Sequence, residues 1–198
     1  MLSKKSFTLV EMLLVTSLLA MTGLAVYHSL INGLKIWQYS NRYVQEEDIA
    51  IGFDKISQDL RNSFDHSLIK FEGKEHTLSF ATIVRTLADP AYSVETEYIF
   101  QIGRVEYEFN SSTGTLSRRQ ANYGQAMAND FDPSRVMLHP VSNVKFSYYL
   151  PQDDKVVIKH STIDKWPVGV LVEIKFGGEG EKANTLSKLI YIPSGNKL

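Results

Sequence analysis

Hydrophobic positions along the chain change period twice. From Phe7 to Tyr27 the sequence reads FTLVEMLLVTSLLAMTGLAVY, 21 residues in which Glu11 is the single ionisable side chain. About 20 apolar residues suffice to cross a hydrocarbon core, so a transmembrane helix is predicted there. Further on, Ile36, Tyr39, Tyr43, Ala50, Phe53, Leu60 and Phe64 recur at spacings of three and four, with Glu46 and Ser57 in the gaps. That spacing is one face of an amphipathic helix. Joined over 7–64, the two stretches make one rod about 85 Å long at about 1.5 Å per residue. Gly23, Gly33 and Gly52 are the places where it can bend.

After Phe64 the period drops to two. Alternation over 77–81, 98–102, 105–109, 144–148, 168–176 and, in broader form, 186–192 predicts strands. Asn110 to Gly114 joins 105–109 to Thr115–Arg118 as a hairpin, and Gly177 to Glu181 joins the last two strands as another. The stretch from Ala121 to Pro140, with Gly124, Asn129, Asp130, Asp132 and Pro133, reads as a surface connection with room for a short turn of helix. The fold class expected is α+β: a long N-terminal helix whose outer apolar face covers a mostly antiparallel sheet.

Composition narrows the function. At 198 residues with 43% hydrophobic, the chain can bury a core. Its 21 Lys and Arg balance 22 Asp and Glu, so no charge excess points to nucleic acid as a partner. With no cysteine there is no disulfide scaffold, thiol nucleophile or Cys-type zinc site. Lys4 and Lys5 precede the apolar stretch, while the next cation downstream is Lys35. This bias puts the N-terminus in the cytoplasm and the bulk of the chain outside. A cleaved secretory signal also starts with a positive region and an apolar run, but those runs are shorter (about 7 to 15 residues) and end in a small-residue cleavage site.

Candidate chemistry fails on spacing. The histidines at 28, 66, 76, 139 and 160 form no HxxxH or HExxH pair. Asp130, Asp132 and Ser134 alternate as in a calcium loop, yet a loop begun at Asp130 has no glycine at its sixth position and Val141 at its twelfth. Asp153-Asp154 reads as a turn. Gly177 to Lys182 lacks the Gly-Lys-Ser/Thr of a phosphate loop, and Ser63 and Ser93 lack a nucleophile elbow. No catalytic residue, cofactor or metal is expected.

Glu11 stands out because a carboxylate in a membrane span invites a functional reading, and because it follows Phe7 by about one helical turn. The residues KKSFTLVEMLLVTSLLA resemble the prepilin signal of type IV pilins and type II secretion pseudopilins: a short basic leader, then Phe7-Thr8-Leu9-Val10-Glu11 and an apolar helix. The resemblance implies that a prepilin peptidase cuts between Ser6 and Phe7 and methylates the new Phe7 amine. Ser6 stands where that family usually has glycine. It further implies that Glu11 of one subunit partners the freed amine of the next and sets helix register during filament assembly. An ammonium in or beside lipid needs such an anionic partner.

Looser features resemble the minor pseudopilin J of type II secretion: Ile56-Ser57-Gln58-Asp59-Leu60-Arg61 near the end of the long helix, Trp166 to Ile174 as a late strand, and Arg104 to Tyr107 followed by Leu116 to Arg118 as a middle hairpin. Asp59 also reads simply as part of a solvated helix end paired with Lys55. The organisation implied is a leader over 1–6, a membrane part over 7–27, an outer helical part over 28–64 and a β-rich pilin-like domain over 65–198. The expected protein is a non-enzymatic minor pseudopilin, single-pass in the bacterial inner membrane with its globular domain in the periplasm. Its expected partners are the other minor and major pseudopilins, with secreted protein as cargo. A minor pilin of a type IV pilus or competence filament shares every N-terminal feature, and a membrane-tethered binding domain is the remaining alternative.

Overall fold

In a computed structural model the residues described are 8–87, 98–152, 155–160, 162–163, 165–177 and 183–193, without the side chains of Gln38, Asn41, Arg42, Leu87 and Lys155. Ser6, Phe7, Ser93, the Asp153-Asp154 turn and Gly178 to Lys182 lie outside the described residues. The chain forms two compact units, divided between Gln45 and Glu46. The fold is α+β, with a long N-terminal helix and antiparallel sheets.

Helix α1 spans Leu9–Arg61. Its stretch Leu9–Trp37 is the one span among the described residues long and apolar enough to cross a membrane, and none of it is buried within the chain. Three of its hydroxyls are satisfied internally. Thr16 Oγ1 donates to the Met12 carbonyl at 3.0 Å, Ser17 Oγ to Leu14 at 2.9 Å and Thr22 Oγ1 to Leu18 at 3.0 Å. Such back-bonding lets a polar residue sit in an apolar helix without an orphaned donor.

In the second unit the remainder of α1 contributes Ile49, Phe53, Ile56 and Leu60 to the core. The expected face was partly wrong. Phe53, Ser57 and Leu60 are buried, but Ala50, Ile36, Tyr39 and Tyr43 are exposed. The buried stripe is Ile49, Phe53, Ile56 and Leu60, again at spacings of four and three, and it begins only where the sheets offer cover. The helix stops at Arg61, three residues before Phe64.

Among the described residues nine strands follow: β1 (Glu72–Gly73), β2 (Thr77–Leu87), β3 (Tyr98–Asn110), β4 (Thr115–Asn122), β5 (Arg135–Leu138), β6 (Asn143–Gln152), β7 (Lys155–Lys159), β8 (Gly169–Phe176) and β9 (Asn184–Tyr191). They form a five-stranded sheet in the order β1-β2-β3-β4-β5 and a four-stranded sheet in the order β7-β6-β8-β9, with every pairing antiparallel. The segments expected over 98–102 and 105–109 are one strand. Gly103 sits at their junction, where a Cβ would collide with the Ala121 carbonyl and the Val84 side chain. The hairpin over 110–114 is present, closed by an Asx turn in which Asn110 Oδ1 accepts from Ser112 N at 3.0 Å, with Gly114 at φ +63°. The stretch expected as a connection over 121–140 holds the end of β4, helix α2 (Tyr123–Ala128) and β5. Asn122 and Gln125 cap α2 reciprocally, each side chain bonding the other's backbone N–H at 2.8 Å.

The two sheets are sewn together at β1. Gly73 bridges to Ile163, Phe146 N donates to the Glu75 carbonyl at 2.8 Å, and the buried Tyr148 hydroxyl donates to the Lys74 carbonyl at 2.6 Å. Burial raises the Tyr148 pKa well above the ordinary phenol value. Phe71, Phe80, Tyr107, Phe146 and Tyr148 fill the space between the elements. A smaller cluster of Ile69, Ala81, Ala121 and Ala126, flanked by Phe64 and Phe131, covers the opposite face of the first sheet. There Phe131 also carries the guanidinium of Arg119 at 4.4 Å from its ring centre.

Candidate functional site

The first candidate is the start of α1. Thr8 precedes the helix, and its hydroxyl accepts from Glu11 N at 3.3 Å. Glu11 Oε2 reaches back to accept from Thr8 N at 2.9 Å and from Thr8 Oγ1 at 3.0 Å. This is a capping box, with threonine at the cap and glutamate three positions on. It satisfies two of the donors that every helix N-terminus leaves open. The pattern Thr8-x-x-Glu11 is the sequence signature of such a cap, a signal that the reading of Glu11 as an intermolecular partner does not use. The two roles use different atoms. Cap bonds occupy Oε2, and among the described residues Oε1 has no partner. Ser6 and Phe7, the expected cleavage and methylation positions, lie outside the described residues.

The second candidate is Asp59, in the outer part of the same helix. It is not a solvated helix end: only 6% of it is exposed. The expected pair with Lys55 is present at 3.0 Å to Oδ1, but Oδ2 also accepts from Arg118 Nε at 2.8 Å and from the Tyr107 hydroxyl at 2.7 Å. The facing strands supply both extra partners, because Tyr107 of β3 stands opposite Arg118 of β4 in the antiparallel register. Burial and then the neighbouring Asp59 charge push the Tyr107 pKa well up. Burial alone would lower that of Arg118, but Asp59 and Tyr107 outweigh it and the net direction is upward. A carboxylate with one guanidinium, one ammonium and one phenol on it is fully satisfied. It pins the helix to the sheet and has no oxygen free for proton transfer.

Elsewhere the chemistry is sparse. Ser147 Oγ lies 2.7 Å from His160 Nδ1, but Ser147 is completely buried and no substrate can reach it. Asp132 Oδ1 accepts from Gln125 Nε2 at 3.0 Å, so it belongs to the capping of α2. Among the described residues no group of three or more His, Cys, Asp or Glu side chains could hold a metal ion. The chain matches no protein-family model and no curated protein.

Proposed function

We propose that this chain is a minor pseudopilin: a membrane-stored building block that assembles at the tip of a type II secretion pseudopilus and supports protein export. The carrying observation is Glu11, the one charged residue of the span from Phe7 to Tyr27, fixed by Thr8 at the first turn with no partner on Oε1 among the described residues. In this reading a prepilin peptidase removes Met1 to Ser6 on the cytoplasmic side and methylates the Phe7 amine. The freed ammonium of one subunit then meets the open oxygen of Glu11 on another, and the pairing sets the axial register as apolar helices leave lipid and pack side by side. The β-rich unit stands in the periplasm and contacts the other minor and major pseudopilins and the exported protein. An α+β fold with an unburied apolar N-terminal helix supports this reading, since such a helix needs lipid or other helices as cover.

N-terminal mass spectrometry of the protein from cells that contain a prepilin peptidase tests the proposal. The expected mature chain begins at N-methylated Phe7. A chain that keeps Met1 to Ser6 in those cells overturns it.

A further inference from the structure

The second unit contains a cleft of about 720 Å3 beside the Asp59 cluster. Its charged lining is Lys55, Arg85, Arg118 and Arg135 against the single carboxylate of Asp59, a formal excess of three positive charges. The whole chain carries a formal net charge of -1, so this excess is a local concentration. The C-terminal end of α1 borders the cleft and contributes about half a negative charge through its carbonyls, which is too little to cancel it.

The four cations are not equally engaged. Lys55 and Arg118 are held by Asp59. Arg85 lies with its guanidinium 3.8 Å from the centre of the Tyr98 ring, and among the described residues no side-chain hydrogen bond or ion pair engages it. Arg135 opens β5 at the edge of the first sheet, is exposed, and makes no side-chain hydrogen bond or ion pair among the described residues. Two guanidinium forks are thus available on one cleft, and such forks match carboxylates two bonds at a time. The rim beside them is apolar: Phe100 is 75% exposed and Ile83 56%.

We infer that this cleft binds an acidic peptide segment, one that presents at least two carboxylates to Arg85 and Arg135 and an apolar side chain to Phe100 and Ile83. A small inorganic anion fits less well. The cleft could hold about two dozen waters at ~30 Å3 each, far more than one tetrahedral anion fills. The inference stands on the cleft alone and does not depend on how the N-terminus is processed.

The test is a fluorescence-anisotropy titration of the full chain in neutral detergent. The probe is a fluorescein-labelled peptide Gly-Asp-Glu-Phe-Glu-Asp-Leu-Gly, with a counterpart carrying Asn and Gln for Asp and Glu. The acidic peptide should bind, with affinity falling as salt rises. Arg135→Glu and Arg85→Glu should each weaken it about tenfold or more, while thermal unfolding of the Arg135→Glu protein stays unchanged. Equal affinity for the two peptides, affinity unaltered by Arg135→Glu, or no binding at all would overturn the inference. Displacement by inorganic phosphate at the same concentration as by unlabelled acidic peptide would overturn the peptide class.

Discussion

The two parts of α1 solve the same problem in opposite ways. Before Gln45 the helix carries large apolar side chains with no cover inside the chain: Leu19 and Met21 are each 70% exposed, and every described Thr and Ser of the span before Tyr27 bonds its own backbone or Glu11. After Glu46 the helix buries a narrow apolar stripe and sets a buried carboxylate into a cluster of protein partners. The first part is complete as a helix but incomplete as a surface, whereas the second is complete in both respects. An apolar side chain therefore has different weight in the two parts, and so does a carboxylate.

Apolar truncation is the sharpest way to break this contrast. Leu60→Ala removes a fully buried side chain of the main core cluster and should destabilise the second unit by about 3 to 4 kcal/mol, read by chemical denaturation of the full chain in detergent. Leu18→Ala, at a position 55% exposed, should leave that transition where it is. Equal shifts from the two variants would end the distinction between the parts. Asp59→Ala comes next, at roughly 3 kcal/mol, because it strands the largely buried guanidinium of Arg118 and the Tyr107 hydroxyl. Asp59→Asn should cost less than Ala by keeping an acceptor for Tyr107. A loss below about 1 kcal/mol for Asp59→Ala would show that the cluster is solvated, as an exposed pair is.

What the sequence alone reveals follows the same division. The apolar span and the buried strands announce themselves because burial on one side imposes a period, and the main strands of both sheets were legible for that reason. The short strands β5 and β7 were not, since four or five residues at a sheet edge carry almost no period and are held by a neighbouring strand instead. Gly103 hid the continuity of β3, because a glycine inside an alternating run looks like a break when it is in fact a close approach to Ala121. On α1 after Gln45 the expected Phe53, Ser57 and Leu60 are buried and only Ala50 is displaced by its neighbour Ile49, since the sheet decides which of the two is covered. Glu11 stands out in the sequence as a lone carboxylate in an apolar run, while its cap bonds to Thr8 come from the local helix start. The sequence reads Asp59 either as part of a pseudopilin-like pattern or as a solvated helix end, because Tyr107 and Arg118 lie 48 and 59 positions away, beyond any local pattern.

A smaller effect should appear at high pH. Burial holds the Tyr107 and Tyr148 hydroxyls protonated above the usual phenol value near 10, with Asp59 adding to the effect at Tyr107. Above about pH 10 the unfolded chain releases protons that the folded chain keeps, so their contribution is complete below that pH and is lost as pH rises through the folded values. Each tyrosine should steepen the decline in stability by up to about 1.4 kcal/mol per pH unit. Tyr148→Phe should halve the excess slope. A slope no steeper than for a chain with exposed tyrosines would mean that these hydroxyls meet water in the folded state.

The least change in folding stability is expected at Glu11, where replacement should not move the unfolding transition of the second unit at all. Glu11→Ala removes the acceptor for Thr8 N and should speed amide exchange in the first turn of α1 alone. Glu11→Gln keeps an oxygen for the cap and removes the charge, so first-turn protection should persist while any pairing with a neighbour's ammonium is lost. The two substitutions therefore separate a role inside the helix from a role between helices. On the pseudopilin reading both variants fail to enter filaments, because the open oxygen must be anionic. If Glu11→Gln enters filaments as well as the original chain does, capping alone explains why this carboxylate sits in an otherwise apolar span.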